Sequence, residues 1–223
     1  MINVTLKGGV VKEFESGTTA AEVAKSLGAG LYKAACAARV DGKAVDLRTP
    51  LTEDCTLAIL TFDDPEGKHA FWHTASHVLA QAVMHLYPDT KYTIGPAVEN
   101  GFYYDFDVEK PFTPEDLAKI EKEMTAIVKT GEELERFELD PADAKELMKD
   151  QPYKLELIDK HSGAGEKISF YKQGDFTDLC AGPHLMSTGM LKAVKLTKVA
   201  AAYWRADASR DSLDRLYGIA FPK

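Results

Sequence analysis

The chain has 223 residues, 45% hydrophobic and 28% charged, with a formal net charge of −8. It has no apolar run of about 18 residues, so no transmembrane helix is expected, and Met1-Ile2-Asn3-Val4-Thr5-Leu6-Lys7 lacks the basic and apolar segments of a signal peptide. Cys36, Cys55 and Cys180 are an odd, sparse set, which argues against a disulfide framework and for a reducing, cytoplasmic setting.

The charge is uneven. Residues 1–62 are neutral, residues 63–189 carry −12 and residues 190–223 carry +4. A generic duplex-binding protein should be basic overall. Contact with nucleic acid is therefore expected only locally, with Lys192, Lys195 and Lys198 as the best place; the competing reading of these lysines is a solvated face.

Residues 1–62 read as a small α+β unit. Ile2, Val4 and Leu6 alternate with polar residues, as in a half-buried strand. Gly8-Gly9 signals a hairpin, with Val10 to Phe14 as the returning strand. Ser16 or Thr18 can cap a helix through Leu27, closed by Gly28. Strands follow at Ala37 to Val40 and near Cys55 to Leu60, around the turn Asp41-Gly42-Lys43. This order of elements predicts a β-grasp, ubiquitin-like fold.

Asp63-Asp64-Pro65-Glu66-Gly67 is the expected boundary, with a larger α+β unit over 63–223. Asp64 can cap a long helix that runs to about Tyr87 and stops at Pro88. A hairpin is expected over 92–108, with Phe102, Tyr104, Phe106 and Val108 on one face of its second strand. Thr113 opens a second helix with Leu117, Ile120, Met124, Ile127 and Val128 as its apolar stripe. Asp140-Pro141 opens a third helix through Leu147, and strands are expected at 167–172 and 193–200.

The chemistry concentrates in two motifs. His73-Thr74-Ala75-Ser76-His77 lies in the long helix, and Cys180-Ala181-Gly182-Pro183-His184 lies about a hundred residues later. Helical phase puts Trp72, Ala75, Leu79, Val83 and Leu86 on one side and His69, His73 and His77 about 140° away. The histidine face is thus expected to meet a cleft or solvent. His73 and His77 come within about 5–6 Å at Cβ, whereas His69 has no matched partner and reads as a bystander. Gly182-Pro183 can turn His184 back toward Cys180. Four ligand-competent side chains match a tetrahedral zinc set. They equally fit a metal-free catalytic cleft.

The two motifs, together with Gly101-Phe102-Tyr103-Tyr104-Asp105-Phe106, Tyr153-Lys154-Leu155-Glu156-Leu157-Ile158 and the late Ala202-Tyr203-Trp204-Arg205 tract, resemble the N-terminal portion of bacterial-type threonyl-tRNA synthetases, in the family's order. Residues 1–62 resemble the TGS domain of that family and residues 63–223 its editing domain, a mostly antiparallel sheet with a long histidine-bearing helix. Ala206 stands where the family usually has glycine. The end, Tyr217 to Lys223, resembles the point where the family continues into its aminoacylation core, so an excised fragment is expected rather than a stand-alone editing protein.

The resemblance implies hydrolysis of Ser-tRNA(Thr). One methyl group separates threonine from serine and gives only about 1–3 kcal/mol of discrimination, so a second, hydrolytic site is a sensible remedy. The implied partner is the acceptor 3′ end of tRNA(Thr) carrying serine, with no membrane and with homodimerisation through the missing core. In this reading His73 and His77 orient the ribose and ester. Lys154 binds the reacting water or the oxyanion, and Asp178 holds the seryl amino group or a water. Cys180 and His184 complete the polar wall, and Tyr104 positions the substrate. The Lys154 role rests mainly on the resemblance. Water-based hydrolysis without a covalent intermediate or a required cofactor is preferred. Zinc held by His73, His77, Cys180 and His184, as in alanyl-type editing domains, is the alternative, and a covalent Cys180-His184 route and a non-catalytic RNA-binding adaptor are the others.

Overall fold

Alternation of buried Ile2 and Val4 with exposed neighbours builds strand β1 (Ile2–Thr5), which turns through Gly8 and Gly9, both at positive φ, into β2 (Val11–Phe14). The structure is a computed structural model that describes residues 1–164 and 167–223. Next come the short β3 (Thr18–Thr19), α1 (Ala20–Leu27), α2 (Ala29–Ala34), β4 (Ala37–Val40), β5 (Lys43–Val45), β6 (Pro50–Leu51) and β7 (Cys55–Leu60). The cap of α1 is Thr19 rather than Ser16 or Thr18: Thr19 and Glu22 satisfy each other's backbone N–H groups in a capping box. The sheet runs β2-β1-β7-β4-β5, with β1 and β7 parallel. Val4, Val23, Leu47, Leu51 and Leu57 form its core against α1. This is the expected β-grasp.

Helix α3 (Pro65–Leu86) follows, with Pro65 in its first turn. Then come β8 (Lys91–Tyr92), β9 (Ala97–Val98), β10 (Gly101–Asp107), α4 (Pro114–Thr130), β11 (Leu134–Leu139), α5 (Pro141–Leu147), α6 (Pro152–His161), β12 (Ile168–Gln173), β13 (Phe176–Leu179), β14 (Ala193–Tyr203) and β15 (Ser212–Phe221). They make two antiparallel sheets, β14-β15-β10-β8 and β11-β12-β13. Phe102, Tyr104 and Phe106 point from β10 into a core shared with α3 and with Ile120, Met124, Ile127 and Val128 of α4. No helix among the described residues is long and apolar enough to cross a membrane.

Two expectations change. Helix α3 is not amphipathic in place: from Ala70 to Val83 every residue except His73 is buried, and His77 is only 2% exposed. The sheet carrying β10 covers its apolar side, and the Cys180–Leu185 loop covers the histidine side. Leu86, expected on the core face, is instead exposed at the helix end. The segment after Pro152, read only as a motif, is helix α6, started by Pro152 at its first turn. Strands β11, β13 and β15 also lie outside the elements expected from pattern. In β15 the buried positions Leu213, Leu216, Gly218 and Ala220 break strict alternation.

Candidate active site

Successive turns of α3 carry His73 and His77, with rings 5.2 Å apart. The loop after β13 brings Cys180 and His184 down onto them. Gly182 sits in the left-handed region at φ 77°, and its N–H donates to Cys180 Sγ at 3.3 Å, which folds the loop tightly. The His184 ring stacks on His73 at 4.1 Å and lies 4.2 Å from His77. One ligand-competent atom from each of His73, His77, Cys180 and His184 lies within 4.8 Å of the others. His69 stays exposed, with its ring 6.0 Å from His73, outside this group.

Neighbours constrain the protons. Thr74 Oγ1 accepts the Leu185 N–H at 3.0 Å and lies 3.0 Å from Ala70 O and 2.9 Å from His184 Nδ1, so its one hydroxyl proton goes to one or the other. With that proton on Ala70 O, His184 carries its own on Nδ1. His73 Nδ1 lies 3.3 Å from the Pro183 carbonyl oxygen, which likewise requires an N–H there. The Nε2 lone pairs of both rings then face Cys180 Sγ, at 3.3 Å for His73 and 3.1 Å for His184. One thiol proton can serve only one of them. His77 adds a buried Nδ1 with no partner among the described residues. Metal-binding histidines commonly commit their second nitrogen in this way, so the donor set fits a tetrahedral cation such as zinc.

Behind the quartet lies a buried charged group. Helix α6 delivers Lys154, whose Nζ is 2.7 Å from Asp178 Oδ1. Strand β10 delivers Tyr104, whose hydroxyl donates to Asp178 Oδ2 at 2.6 Å. The same oxygen lies 3.4 Å from His77 Nε2. Tyr104 is fully buried, so its hydroxyl meets Asp178 and its ring packs in the core. His73 and Cys180 are the half-buried members of the site, and its approach lies on their side.

The surroundings set charge states. Burial, with His77 and His69 adding repulsion, pushes the His73 imidazole down to about 3. Burial does the same to His77, to about 4, with Asp178 opposing and Lys154 assisting. Burial and the neighbouring His73, His77 and Arg48 hold His184 well below the ordinary histidine range. Burial also pushes the Cys180 thiol up to about 12, against the opposing Gly182 N–H. The three rings are thus neutral and the sulfur is protonated near pH 7. Burial raises Asp178, but Lys154, His77 and Tyr104 reverse this and leave it below the usual carboxylate range.

Two domain families match the chain: the TGS domain over residues 2–61, and the threonyl and alanyl tRNA synthetase second additional domain over residues 168–217. The second match contains Asp178, Cys180 and His184. The threonine–tRNA ligase of Acetivibrio thermocellus is 57% identical over 225 residues, covering 100% of this chain and 35% of the relative. That of Caldanaerobacter subterraneus subsp. tengcongensis is 55% identical over 222 residues, covering 99% of this chain and 34% of its own length. Over its whole length the chain matches the N-terminal part of bacterial threonine–tRNA ligases.

The chain spans about a third of the length of these ligases. Within the chain the structure gathers the seven residues expected in the hydrolytic site: His73, His77, Cys180 and His184 as the quartet, with Lys154, Asp178 and Tyr104 behind it. Sequence reading missed Thr74, whose hydroxyl lies 2.9 Å from His184 Nδ1, and Tyr171, whose ring lies 4.5 Å from His184. Thr74 lay in plain view between the histidines. Its i−4 bond to Ala70 O is the pattern that frees a threonine oxygen to accept a second group.

Proposed function

We propose that the chain divides into a TGS-like unit at 1–62 and an editing unit at 63–223, and that the latter hydrolyses Ser-tRNA(Thr) by direct attack of water. The observation that carries the reading is the Lys154–Asp178 pair beside the histidine–cysteine quartet. Removing two charges from water costs several kcal/mol per ion, so such a pair next to a polar cluster points to chemistry rather than to packing.

Ester hydrolysis requires an oriented water, a stabilised oxyanion and a proton for the leaving ribose oxygen. Neutral His73 and His77 hydrogen-bond the ribose hydroxyls and hold the ester carbonyl near Lys154. The ammonium of Lys154 offsets charge as it develops on the carbonyl oxygen. Asp178 holds the seryl amino group or the attacking water, and Tyr104 acts through Asp178 by fixing its carboxylate. Cys180, held as a thiol, and His184 form the wall. A protonated thiol among neutral imidazoles is poorly prepared to be a nucleophile, which favours the route without an acyl-enzyme.

The two Nε2 lone pairs aimed at Cys180 favour a second reading, with zinc on His73, His77, Cys180 and His184. When bound, zinc would supply positive charge that polarises nearby oxygen atoms. Metal content of protein purified without chelator, paired with deacylation after chelation, separates the two readings. Stoichiometric zinc whose removal abolishes activity would overturn the metal-free route. The substrate is tested by comparing serine release from Ser-tRNA(Thr) with threonine release from Thr-tRNA(Thr). Rapid release of serine alone is expected. Inertness toward both, with tRNA binding retained, would instead support a non-catalytic RNA-binding adaptor.

A further inference from the structure

The turn between β5 and β6 belongs to the N-terminal β-grasp unit, yet its side chains reach the peptide groups of His184 and Leu185. Asp46 Oδ2 accepts the His184 N–H at 3.1 Å and the Tyr171 hydroxyl at 2.6 Å. Asp46 Oδ1 accepts the Arg48 N–H at 2.8 Å and its Nη1 at 2.9 Å. Arg48 Nη1 donates to His184 O at 3.3 Å, and Nη2 donates to Leu185 O at 2.9 Å and Leu134 O at 2.7 Å. The guanidinium carbon lies 5.6 Å from the Tyr171 ring centroid, and the Tyr171 ring meets His184 edge-on. Both sides of the His184 residue, its N–H and its carbonyl, are therefore held by a segment more than a hundred residues earlier.

The turn is rigid enough for this task. Leu47, between the two polar residues, is fully buried in the β-grasp core, and its carbonyl accepts the Ala21 N–H at 2.8 Å. Thr49 N–H closes back onto Asp46 O at 3.0 Å. The Asp46 and Arg48 side chains are only 10% and 17% exposed. Contacts that merely joined two units could fall anywhere along their border. Here two of the five bonds hold His184 itself, a third holds the next peptide at Leu185 and a fourth holds Tyr171, whose ring meets His184; the fifth goes to Leu134. Charge-assisted bonds to backbone are also the stronger kind, with directions that fix orientation.

We propose that Asp46 and Arg48 are positioning residues for His184, so that the TGS-like unit forms part of the hydrolytic apparatus and not only a docking module. This rests on the proposed deacylation but adds a requirement for residues 1–62 within it. By fixing the His184 backbone, the turn sets where Nε2 points and how closely the loop covers His73 and His77. Displacement of such a group by about 1 Å costs on the order of 10²-fold in rate.

The test uses the whole chain in Asp46→Ala and Arg48→Met, beside the conservative Asp46→Asn and Arg48→Lys. Two quantities are read: amide hydrogen exchange across residues 180–186, and kcat and KM for Ser-tRNA(Thr). Faster exchange in the loop is expected, with kcat down about 10²-fold, KM little changed, and most of the rate recovered in Asp46→Asn, which keeps an acceptor. Wild-type exchange in folded variants, or faster exchange with kcat unchanged, would overturn the proposal. If Asp46→Ala does not fold, Asp46→Asn and Arg48→Lys decide by the same two readings. A wild-type chain that releases no serine overturns the substrate, and loop exchange then decides the positioning role by itself.

Discussion

Lys154 Nζ lies 2.7 Å from Asp178 Oδ1, and each side chain is 2% exposed. Neither charge has water to fall back on. Lys154→Met removes one partner and strands the carboxylate, with an expected loss of about 3–5 kcal/mol. Adding Asp178→Asn should recover part of that loss, because no lone charge then remains. Urea unfolding of the two single variants and the double variant measures the coupling. Simple additivity would show that the ions do not depend on each other.

Tyr104→Phe keeps the packed ring and deletes the 2.6 Å bond to Asp178. A cost of about 1–3 kcal/mol is expected for a buried acceptor losing its donor. If Tyr104 acts through Asp178 as proposed, serine release should fall in kcat with KM nearly constant. A rise in KM alone would place Tyr104 against the substrate.

Cys180 is held as a thiol, with its pKa pushed up to about 12 by burial. Cys180→Ala should therefore keep most of the deacylation rate and yield no trapped seryl-enzyme, as read by quenched-reaction mass spectrometry. Complete loss of turnover in a folded Cys180→Ala, with wild-type protein showing a seryl adduct, would establish the covalent route.

Ala206 adopts φ 58° and Arg205 φ 55°, in the region that costs a side chain about 1–2 kcal/mol. Ala206→Gly relieves this but frees the unfolded chain, which returns about 0.4–1 kcal/mol. A net gain of up to about 1.6 kcal/mol is expected, visible as a higher melting temperature. A lower one would mean that the Ala206 methyl packs usefully.

His85 bridges Glu123 at 2.8 Å and Asp175 at 2.8 Å. Burial lowers its pKa, but the two carboxylates outweigh this and raise it above 6.5. A raised folded-state value means the stabilisation is full below about pH 6.5. It fades as pH rises through the higher folded value. The stability deficit of His85→Gln should accordingly be larger at about pH 5.5 than at about pH 8.5. A deficit independent of pH would remove the ion pairs from the account.

Local pattern carried a large part of this molecule. The 3.6-residue period and the Pro65 and Thr113 starts located α3 and α4, and strict alternation located β1 and β10. The pairing of a His-x-x-x-His helix with a Cys-x-x-x-His turn named the quartet. Irregular elements escaped: α6 buries Lys154 beside Tyr153 and Ile158, so its inner face is not an apolar stripe, and β15 interrupts its alternation. Whether the histidine face meets a cleft or solvent stays open in the sequence, because helical phase separates two faces but cannot say what covers the second.

Residue types and spacing alone were enough to establish a β-grasp followed by an α+β unit and the four side chains most competent to share a ligand, since helical period and turn chemistry act over a few residues. Tertiary structure decided the rest. Burial made the three imidazoles neutral, the Pro183 carbonyl oriented His73, and Asp46 and Arg48 reached the His184 backbone from the far end of the chain. Desolvation and hydrogen-bond direction depend on which distant segments meet, and no local periodicity encodes that.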